Sequence, residues 1–343
     1  MVIHYIGADV HCNNTELCIE RNGRIVARHS LKTTAEAIRR VLDGLGGQKH
    51  LTFEEGPLAS WLYRSLKDQV DTLIVCDPRQ NKLIAAGGDK DDRIDAAKLA
   101  RLLRGGYLHP VYHSDDLERI TLKRWVALYH DRVKEATRSI NKVRACCRLY
   151  GDRVPRRALR DPAVRAAWLA GLESDLADQV RLLWMDYDSH ARQVRQARAQ
   201  LVRRAQAYPI IGYWSALPGV GLIRATTLFA YLDTPWRFQR KNQIWKYCGL
   251  GLQRCSSGQD RHGRARPARL QLVWPRNARL KNVVVGMALS AIRSRDNLFR
   301  QTYERRLRDG ALASNARHTA ARQMLTVMWG MWKSQRPFES PGW

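Results

Sequence analysis

The pattern of apolar and polar positions predicts β-strands in the first third of the chain. VIHYIGADV is apolar and β-branched, TELCIE alternates between apolar and polar residues, and Asn22-Gly23 between TELCIE and RIVARHS predicts a hairpin turn. Two shorter apolar segments, LTFE and TLIVC, predict two buried strands further along the chain. We therefore expect five strands in this region.

Helical patterns separate and follow these strands. Thr33 and Glu36 form a capping-box pattern ahead of apolar residues at helical spacing, and ASWLYRSL predicts a second helix. A third helix begins near Asp92 and ends at Gly105. Three strands, helix, strand, helix, strand, loop and helix is the order of a ribonuclease-H-like domain. We expect an α/β domain of this kind over residues 1–112.

Residues 113–208 place apolar side chains at alternating spacings of four and three. The first series is Leu122, Val126, Tyr129, Val133, Ala136, Ile140, Val143 and Cys147, and the second is Leu176, Val180, Leu183, Tyr187, His190, Val194, Ala197 and Leu201. This spacing predicts long helices that pair as a coiled coil or as antiparallel neighbours. We expect them to form a homo-oligomer, a dimer or a tetramer, although helices that only cover a core have the same pattern.

Residues 209–343 predict a mostly helical, strongly basic domain. LPGVGLIRATTLFAYL is a glycine turn followed by an apolar helix; such turns are common between helices, and they can also present backbone N–H groups to a phosphate. Residues 234–281 hold twelve Lys and Arg against one acid, Asp260. Aromatic residues are interleaved with them: Trp236, Phe238, Trp245, Tyr247 and Trp274. This mixture favours contact with a nucleic-acid backbone and stacking on its bases.

Charge is distributed unevenly along the chain. There are 59 Lys and Arg against 32 Asp and Glu, a net charge of +27. Residues 1–112 hold 16 basic and 14 acidic side chains, whereas residues 113–343 hold 43 and 18, a net charge of +25. A surface this positive repels itself unless a polyanion binds it, and the preference for arginine favours phosphate contacts. Nucleic acid is therefore the expected partner.

Other sequence features restrict the class of protein. The chain has no apolar run of 18 residues, and MVIHYIGADV has neither the charged start nor the cleavage site of a signal peptide. The seven cysteines include no CxxC pair and fit a reducing compartment. We expect a cytoplasmic protein with no membrane segment and no structural zinc site.

Four carboxylates stand where predicted elements begin or end. Asp9 ends the first strand and Glu54 the fourth, while Asp92 and Asp95 lie three residues apart at the start of a helix. Carboxylate oxygens suit Mg²⁺ or Mn²⁺, and such ions assist phosphodiester displacement. Asp92 and Asp95 would also stabilise a helix dipole without any metal, but an apolar strand gains no stability by ending in Asp. Three nearby acids leave the assignment open: Glu55, Asp89 and Asp91.

Five motifs follow one another along nearly the whole chain. They are YIGADV, FEEG, KDDRIDAAKLARLLRGGYLHPVY, LPGVG with TTLFAYL, and YCGLGLQRCSSG. In these motifs the chain resembles the DEDD transposases of insertion sequences, also called bridge-RNA-guided recombinases, which have the pilin-gene invertases as relatives. The resemblance implies a RuvC-like N-terminal domain, a structured noncoding RNA as guide, and a site completed between subunits.

The resemblance also implies roles for individual residues. By position, the acids that bind divalent metal are Asp9, Glu54, Asp92 and Asp95. Ser257, which precedes Gly258, is the implied nucleophile that links covalently to DNA, and Ser256 is the adjacent alternative.

The chain departs from the family pattern in three places. Glu54-Glu55-Gly56 is one residue shorter than the usual Glu-Ala-Thr-Gly, which keeps Glu55 open as the second acid. Asp91 replaces the usual Thr, and VWPRNARL stands where a Ser-Lys-x-Gly segment is usual.

These features predict a transposase that cleaves and exchanges DNA strands at element ends and target, using Mg²⁺ or Mn²⁺, a guide RNA and a covalent seryl intermediate. Two other functions fit part of the pattern. One is a RuvC-like junction resolvase that uses only the acids and water. The other is a non-catalytic, basic scaffold that binds nucleic acid.

Overall fold

The alternating segments near the N-terminus form a five-stranded sheet in a computed structural model of the protein. The structure describes residues 2–81, 91–255, 269–273 and 277–339. The chain forms two units, Met1–Leu117 and Glu118–Trp343, called unit 1 and unit 2 below. The predicted domain boundaries after residues 112 and 208 stay predictions.

Unit 1 contains the sheet. Its strands are β1 (Ile3–Val10), β2 (Asn14–Arg21), β3 (Arg24–Lys32), β4 (Gln48–Glu54) and β5 (Thr72–Cys76). They lie in the order β3-β2-β1-β4-β5, and β2 runs antiparallel to both of its neighbours while β1, β4 and β5 are parallel. The order is consistent with the predicted ribonuclease-H-like domain.

Two local predictions in unit 1 have different outcomes. The β2–β3 hairpin is confirmed, because Asn22 and Gly23 have φ values of 53° and 83°, as the tight turn between such strands requires. The predicted capping box at Thr33 is wrong. Thr34 caps the first helix by accepting a hydrogen bond from the Ala37 N–H, and the Thr33 hydroxyl instead donates to the His11 carbonyl.

Helices cover both faces of the sheet. α1 (Ala35–Asp43) and α2 (Ala59–Leu66) pack against the face that carries the core residues Ile6, Ala8, Leu51 and Phe53. α3 (Asp92–Gly105) packs against the other face. A Cβ atom at Gly7 would lie 2.1 Å from the Ala96 carbonyl oxygen, so only glycine lets β1 and α3 come this close.

The middle of the chain forms two long helices. α4 (Leu117–Leu149) and α6 (Ser174–Ala205) are joined through α5 (Pro162–Ala170). Hydrogen bonds from Ser139 to His190 and from Cys146 to Gln179 show that α4 and α6 run antiparallel. The predicted long helices are therefore confirmed, whereas supercoiling and self-association stay predictions.

The remainder of unit 2 is mostly helical, as predicted. Its helices are α7 (Pro209–Ser215), α8 (Leu222–Leu232), α9 (Lys241–Tyr247), α10 (Ala278–Arg293), α11 (Leu298–Arg308) and α12 (Ala313–Ser334), and its short strands β6 (Leu252–Cys255) and β7 (Arg269–Leu272) pair antiparallel. Trp214 is fully buried, packs edge-on against Trp332, and donates its indole N–H to the Met328 carbonyl. Among the described residues, no helix is both long and apolar enough to cross a bilayer.

Candidate active site at the carboxyl edge of the sheet

The parallel pairing of β1 and β4 brings Asp9 beside Glu54. Ala8 pairs with Phe53 in this register, and the two acids follow at the next position of each strand. Side chains alternate between the two faces of a strand, so Asp9 shares the face of Gly7, which α3 covers. The close approach at Gly7 therefore brings Asp9 to the start of α3.

α3 adds two more acids at its first turn. Asp92 and Asp95 lie there, and Asp91 immediately before them caps the helix by accepting a hydrogen bond from the Arg93 N–H at 2.9 Å. Asp91 therefore has a structural role of its own. This cap explains why an acid can stand at this position without being a ligand.

Asp9 and Asp92 converge on a histidine. The Nε2 atom of His11 lies 3.3 Å from Oδ2 of Asp9 and 3.4 Å from Oδ2 of Asp92. One potential ligand atom from each of the three side chains lies within 4.8 Å of the other two. His11 was not among the site residues predicted from the sequence, although its place two residues beyond a strand-end Asp could have indicated it.

The site acids affect one another electrostatically. Burial raises the pKa of Asp9; the nearby His11 opposes this rise, and the charges of Asp92 and Asp95 add to it. Burial likewise raises the pKa of Glu54, against the effect of its hydrogen bond from Asn81, and the charges of Asp9 and Asp95 raise it further. The edge of the sheet thus concentrates negative charge, which the Lys98 ammonium, 3.4 Å from Oδ1 of Asp95, offsets in part.

Glu54 and Glu55 have different surroundings. Glu54 accepts a hydrogen bond at 3.0 Å from the side chain of Asn81, which is buried. Glu55 pairs with His113, whose Nε2 atom lies 2.6 Å from Oε2 of Glu55. The charges of Asp9 and Asp95 act on Glu54 and raise its pKa, which associates Glu54 with the other site acids.

Comparison with known proteins adds a family to this geometry. The sequence model of one protein family, the DEDD transposases of the IS110 type, matches residues 6–151. A second family model, described as transposase IS116/IS110/IS902 family, matches residues 214–304. Together the two models match more than half of the chain. The chain belongs to the IS110 family of DEDD transposases. It is thus a DNA-cleaving and rejoining enzyme, which confirms the predicted enzyme class.

Two curated relatives of this IS110-family transposase are similar over most of their length. A putative transposase, y4qE, from Sinorhizobium fredii is 23% identical over 297 residues, which cover 83% of this chain and 70% of the relative. The transposase for insertion sequence element IS1111A from Coxiella burnetii is 21% identical over 269 residues, which cover 75% of this chain and 70% of the relative.

The two family matches include every predicted site residue of this IS110-family transposase. Asp9, Glu54, Asp92 and Asp95 lie within the first match. Ser257 lies within the second match, but it and Ser256 fall outside the residues that the structure describes. The structure brings the four acids to one edge of the sheet. The nucleophilic role of Ser257 stays a prediction. Asp89 also falls outside the described residues.

Proposed function

We propose that this transposase cleaves and exchanges DNA strands with a divalent metal ion, Mg²⁺ or Mn²⁺, at the carboxyl edge of the unit 1 sheet. The observation that carries the proposal is the convergence of Asp9 and Asp92 on one point, His11 Nε2, at 3.3 and 3.4 Å. Acids from a strand end and from a helix start meet there, although more than 80 residues separate them in sequence.

The donor set fits a divalent ion. Carboxylate oxygens are hard ligands, and the raised pKa values of Asp9 and Glu54 reflect burial and repulsion that a bound cation would relieve. Asp9, Glu54, Asp92 and Asp95 would hold the ion. When bound, it supplies positive charge that makes an oxygen nucleophile more acidic and stabilises a leaving oxygen.

Ser257 is the proposed nucleophile. Its hydroxyl oxygen attacks a DNA phosphorus, so that an oxygen–phosphorus bond to the serine forms while the bond to a deoxyribose oxygen breaks. The serine loses its proton in this step, and the deoxyribose oxygen gains one and leaves as a hydroxyl. The phosphodiester energy is conserved in the seryl link, and attack by a second strand's hydroxyl reverses the step and rejoins DNA. The family match over residues 214–304 supports this assignment.

Unit 2 is the proposed nucleic-acid-binding unit. It contains 43 Lys and Arg against 16 Asp and Glu, so the whole net charge of +27 belongs to it. This charge supports binding to DNA ends and target, and to a structured noncoding guide RNA. If a guide pairs with the DNA, we expect the protein to contact the backbone more than the bases. We also propose a homo-oligomer in which the serine and the acids meet between subunits.

Strand cleavage and joining on DNA that carries an element end test the chemistry. We expect Asp9→Asn to abolish both reactions and Asp43→Asn, a matched change at an exposed acid outside the site, to leave them intact. Ser257→Ala should abolish joining and the protein–DNA adduct, whereas Ser256→Ala should not.

The alternatives give other outcomes in the same assay. A junction resolvase that uses water would keep full cleavage in the Ser257→Ala variant. A non-catalytic scaffold would show no metal-dependent cleavage in the wild type.

Guide use has a separate test. Sequencing the nucleic acid that copurifies with the full chain should show one defined noncoding RNA, and random cellular RNA would contradict guidance.

A further inference from the structure

Hydrogen bonds fix the backbone of His11 beside the acids, although its ring is exposed. The backbone N–H of His11 donates a hydrogen bond to the Asn14 carbonyl at 3.0 Å, and the backbone carbonyl of His11 accepts one from the Thr33 hydroxyl at 2.7 Å. The backbone on both sides of the side chain is therefore fixed to β2 and to the residues after β3. About half of the side-chain surface, 55%, remains exposed, so packing against apolar neighbours does not explain its position.

Nε2 of His11 is within hydrogen-bonding range of Asp9, but its distances to the two acids are longer than those of a tight ion pair. Charge-assisted hydrogen bonds from nitrogen to a carboxylate are about 2.7–2.9 Å long. The separations of 3.3 Å to Asp9 and 3.4 Å to Asp92 are longer and nearly equal. Ligand atoms that each lie about 2.0–2.2 Å from a shared ion are themselves roughly 3 Å apart. The two separations from Nε2 of His11 are close to this, and all three ligand atoms lie within 4.8 Å of one another.

We propose that Nε2 of His11 is a nitrogen ligand of the divalent ion that Asp9 and Asp92 hold. The inference rests on the proposed function, because it concerns the same metal site. Mg²⁺ takes oxygen ligands and keeps its waters, whereas first-row transition ions accept imidazole. His11 therefore makes the site favour Mn²⁺ over Mg²⁺ more strongly than four carboxylates alone would.

The direct test is electron spin echo spectroscopy of Mn²⁺ bound to the full chain at about pH 8, where an ordinary imidazole is neutral. We expect the wild type to show the modulation of a directly bonded nitrogen. His11→Ala and His11→Gln should both lose it; the Gln variant keeps a hydrogen-bond donor for Asp9 but has no imidazole. His29→Ala, on the edge strand β3, is the matched control and should keep the signal.

Metal affinities provide the second readout. We expect His11→Ala to weaken Mn²⁺ binding about tenfold or more in calorimetric titration and to weaken Mg²⁺ binding less. Thermal unfolding without metal should show that the variant still folds, since the replaced ring is exposed.

The outcomes separate this inference from the proposed function. Mn²⁺ binding that Asp9→Asn abolishes, but that shows no nitrogen signal and tolerates His11→Ala, would overturn the role of His11 and leave the carboxylate site intact. A wild-type chain that binds neither ion would overturn both.

Discussion

Unit 1 and unit 2 of this transposase handle charge in opposite ways. Unit 1 has 16 basic and 16 acidic side chains and no net charge, yet it gathers Asp9, Glu54, Asp92 and Asp95 at one edge of its sheet. Unit 2 has 43 basic and 16 acidic side chains and carries all of the excess. On the proposed function, the total charge of unit 2 indicates where nucleic acid binds, while the local arrangement of a few acids in unit 1 indicates where the chemistry occurs.

The largest expected effect concerns unit 2. If its positive side chains bind phosphates, the dissociation constant for DNA should rise about a thousandfold or more between 50 and 200 mM salt, because each phosphate contact releases counterions. Fluorescence anisotropy with labelled DNA measures this.

A pair of variants sharpens the assignment to unit 2. Arg254→Gln, at an exposed position on β6, should lower the slope of log affinity against log salt by about one. Arg24→Gln, at an exposed position on β3 in unit 1, should leave the slope unchanged. Equal effects of the two would contradict the division of labour between the units.

The second prediction concerns the acidic edge of unit 1. Glu54→Gln should lower the rate of strand cleavage about a hundredfold or more, because it removes a negative ligand from the site. Glu55→Gln should change the rate little, because Glu55 pairs with His113 instead. Single-turnover cleavage at saturating metal compares the two, and a larger loss for Glu55→Gln would reverse the assignment.

The third prediction uses two crowded glycines, of which Gly219 also has a φ of 79°, a conformation that residues with a Cβ rarely adopt. A Cβ at Gly7 in unit 1 would lie 2.1 Å from the Ala96 carbonyl oxygen, and one at Gly219 in unit 2 would lie 2.4 Å from the Ala291 nitrogen. Changing either to Ala should lower the free energy of unfolding by about 1–3 kcal/mol, as measured by urea denaturation.

Metal binding distinguishes these two variants. Only Gly7→Ala should also weaken Mn²⁺ binding, since it pushes α3, and with it Asp92 and Asp95, away from Asp9. Equal Mn²⁺ affinities for the two variants would show that the β1–α3 contact does not set the geometry of the site.

Local patterns predicted most of unit 1. The hairpin at Asn22-Gly23 and the start of α3 near Asp92 depend on neighbouring residues, so the sequence contains their signals. The cap of α1 was misplaced by one residue because Thr33 and Thr34 are adjacent and have the same capping chemistry. Sequence alone does not decide between them; the His11 carbonyl, which binds the Thr33 hydroxyl, does.

The candidate site was only partly predictable, because it depends on tertiary contacts. Each acid could be found at a strand end or a helix start, but their convergence requires the close packing of α3 on β1 at Gly7. His11 was missed because a single exposed histidine in a turn has no periodic pattern. Its relation to Asp92 exists only after the chain folds.

The smallest predicted effect is a gain in stability from a change that removes activity. Burial, with further repulsion from Asp92 and Asp95, raises the pKa of Asp9 above its ordinary value of 3.8, even though His11 opposes the rise. The folded state thus binds the Asp9 carboxyl proton more tightly than the unfolded state does. The stability of the metal-free protein therefore falls as the pH rises from the ordinary pKa of Asp9 through its raised pKa in the folded state.

At neutral pH, Asp9→Asn removes the unfavourable charge and should raise the free energy of unfolding by about 0.5–1 kcal/mol, as measured by urea denaturation with a chelator present. Asp43→Asn, at an exposed acid, should change it by less than about 0.5 kcal/mol. A metal-free Asp9→Asn protein that is less stable than the wild type would show that charge repulsion does not destabilise the acidic edge. The edge would then differ less from the rest of unit 1 in its electrostatic energy than its geometry implies.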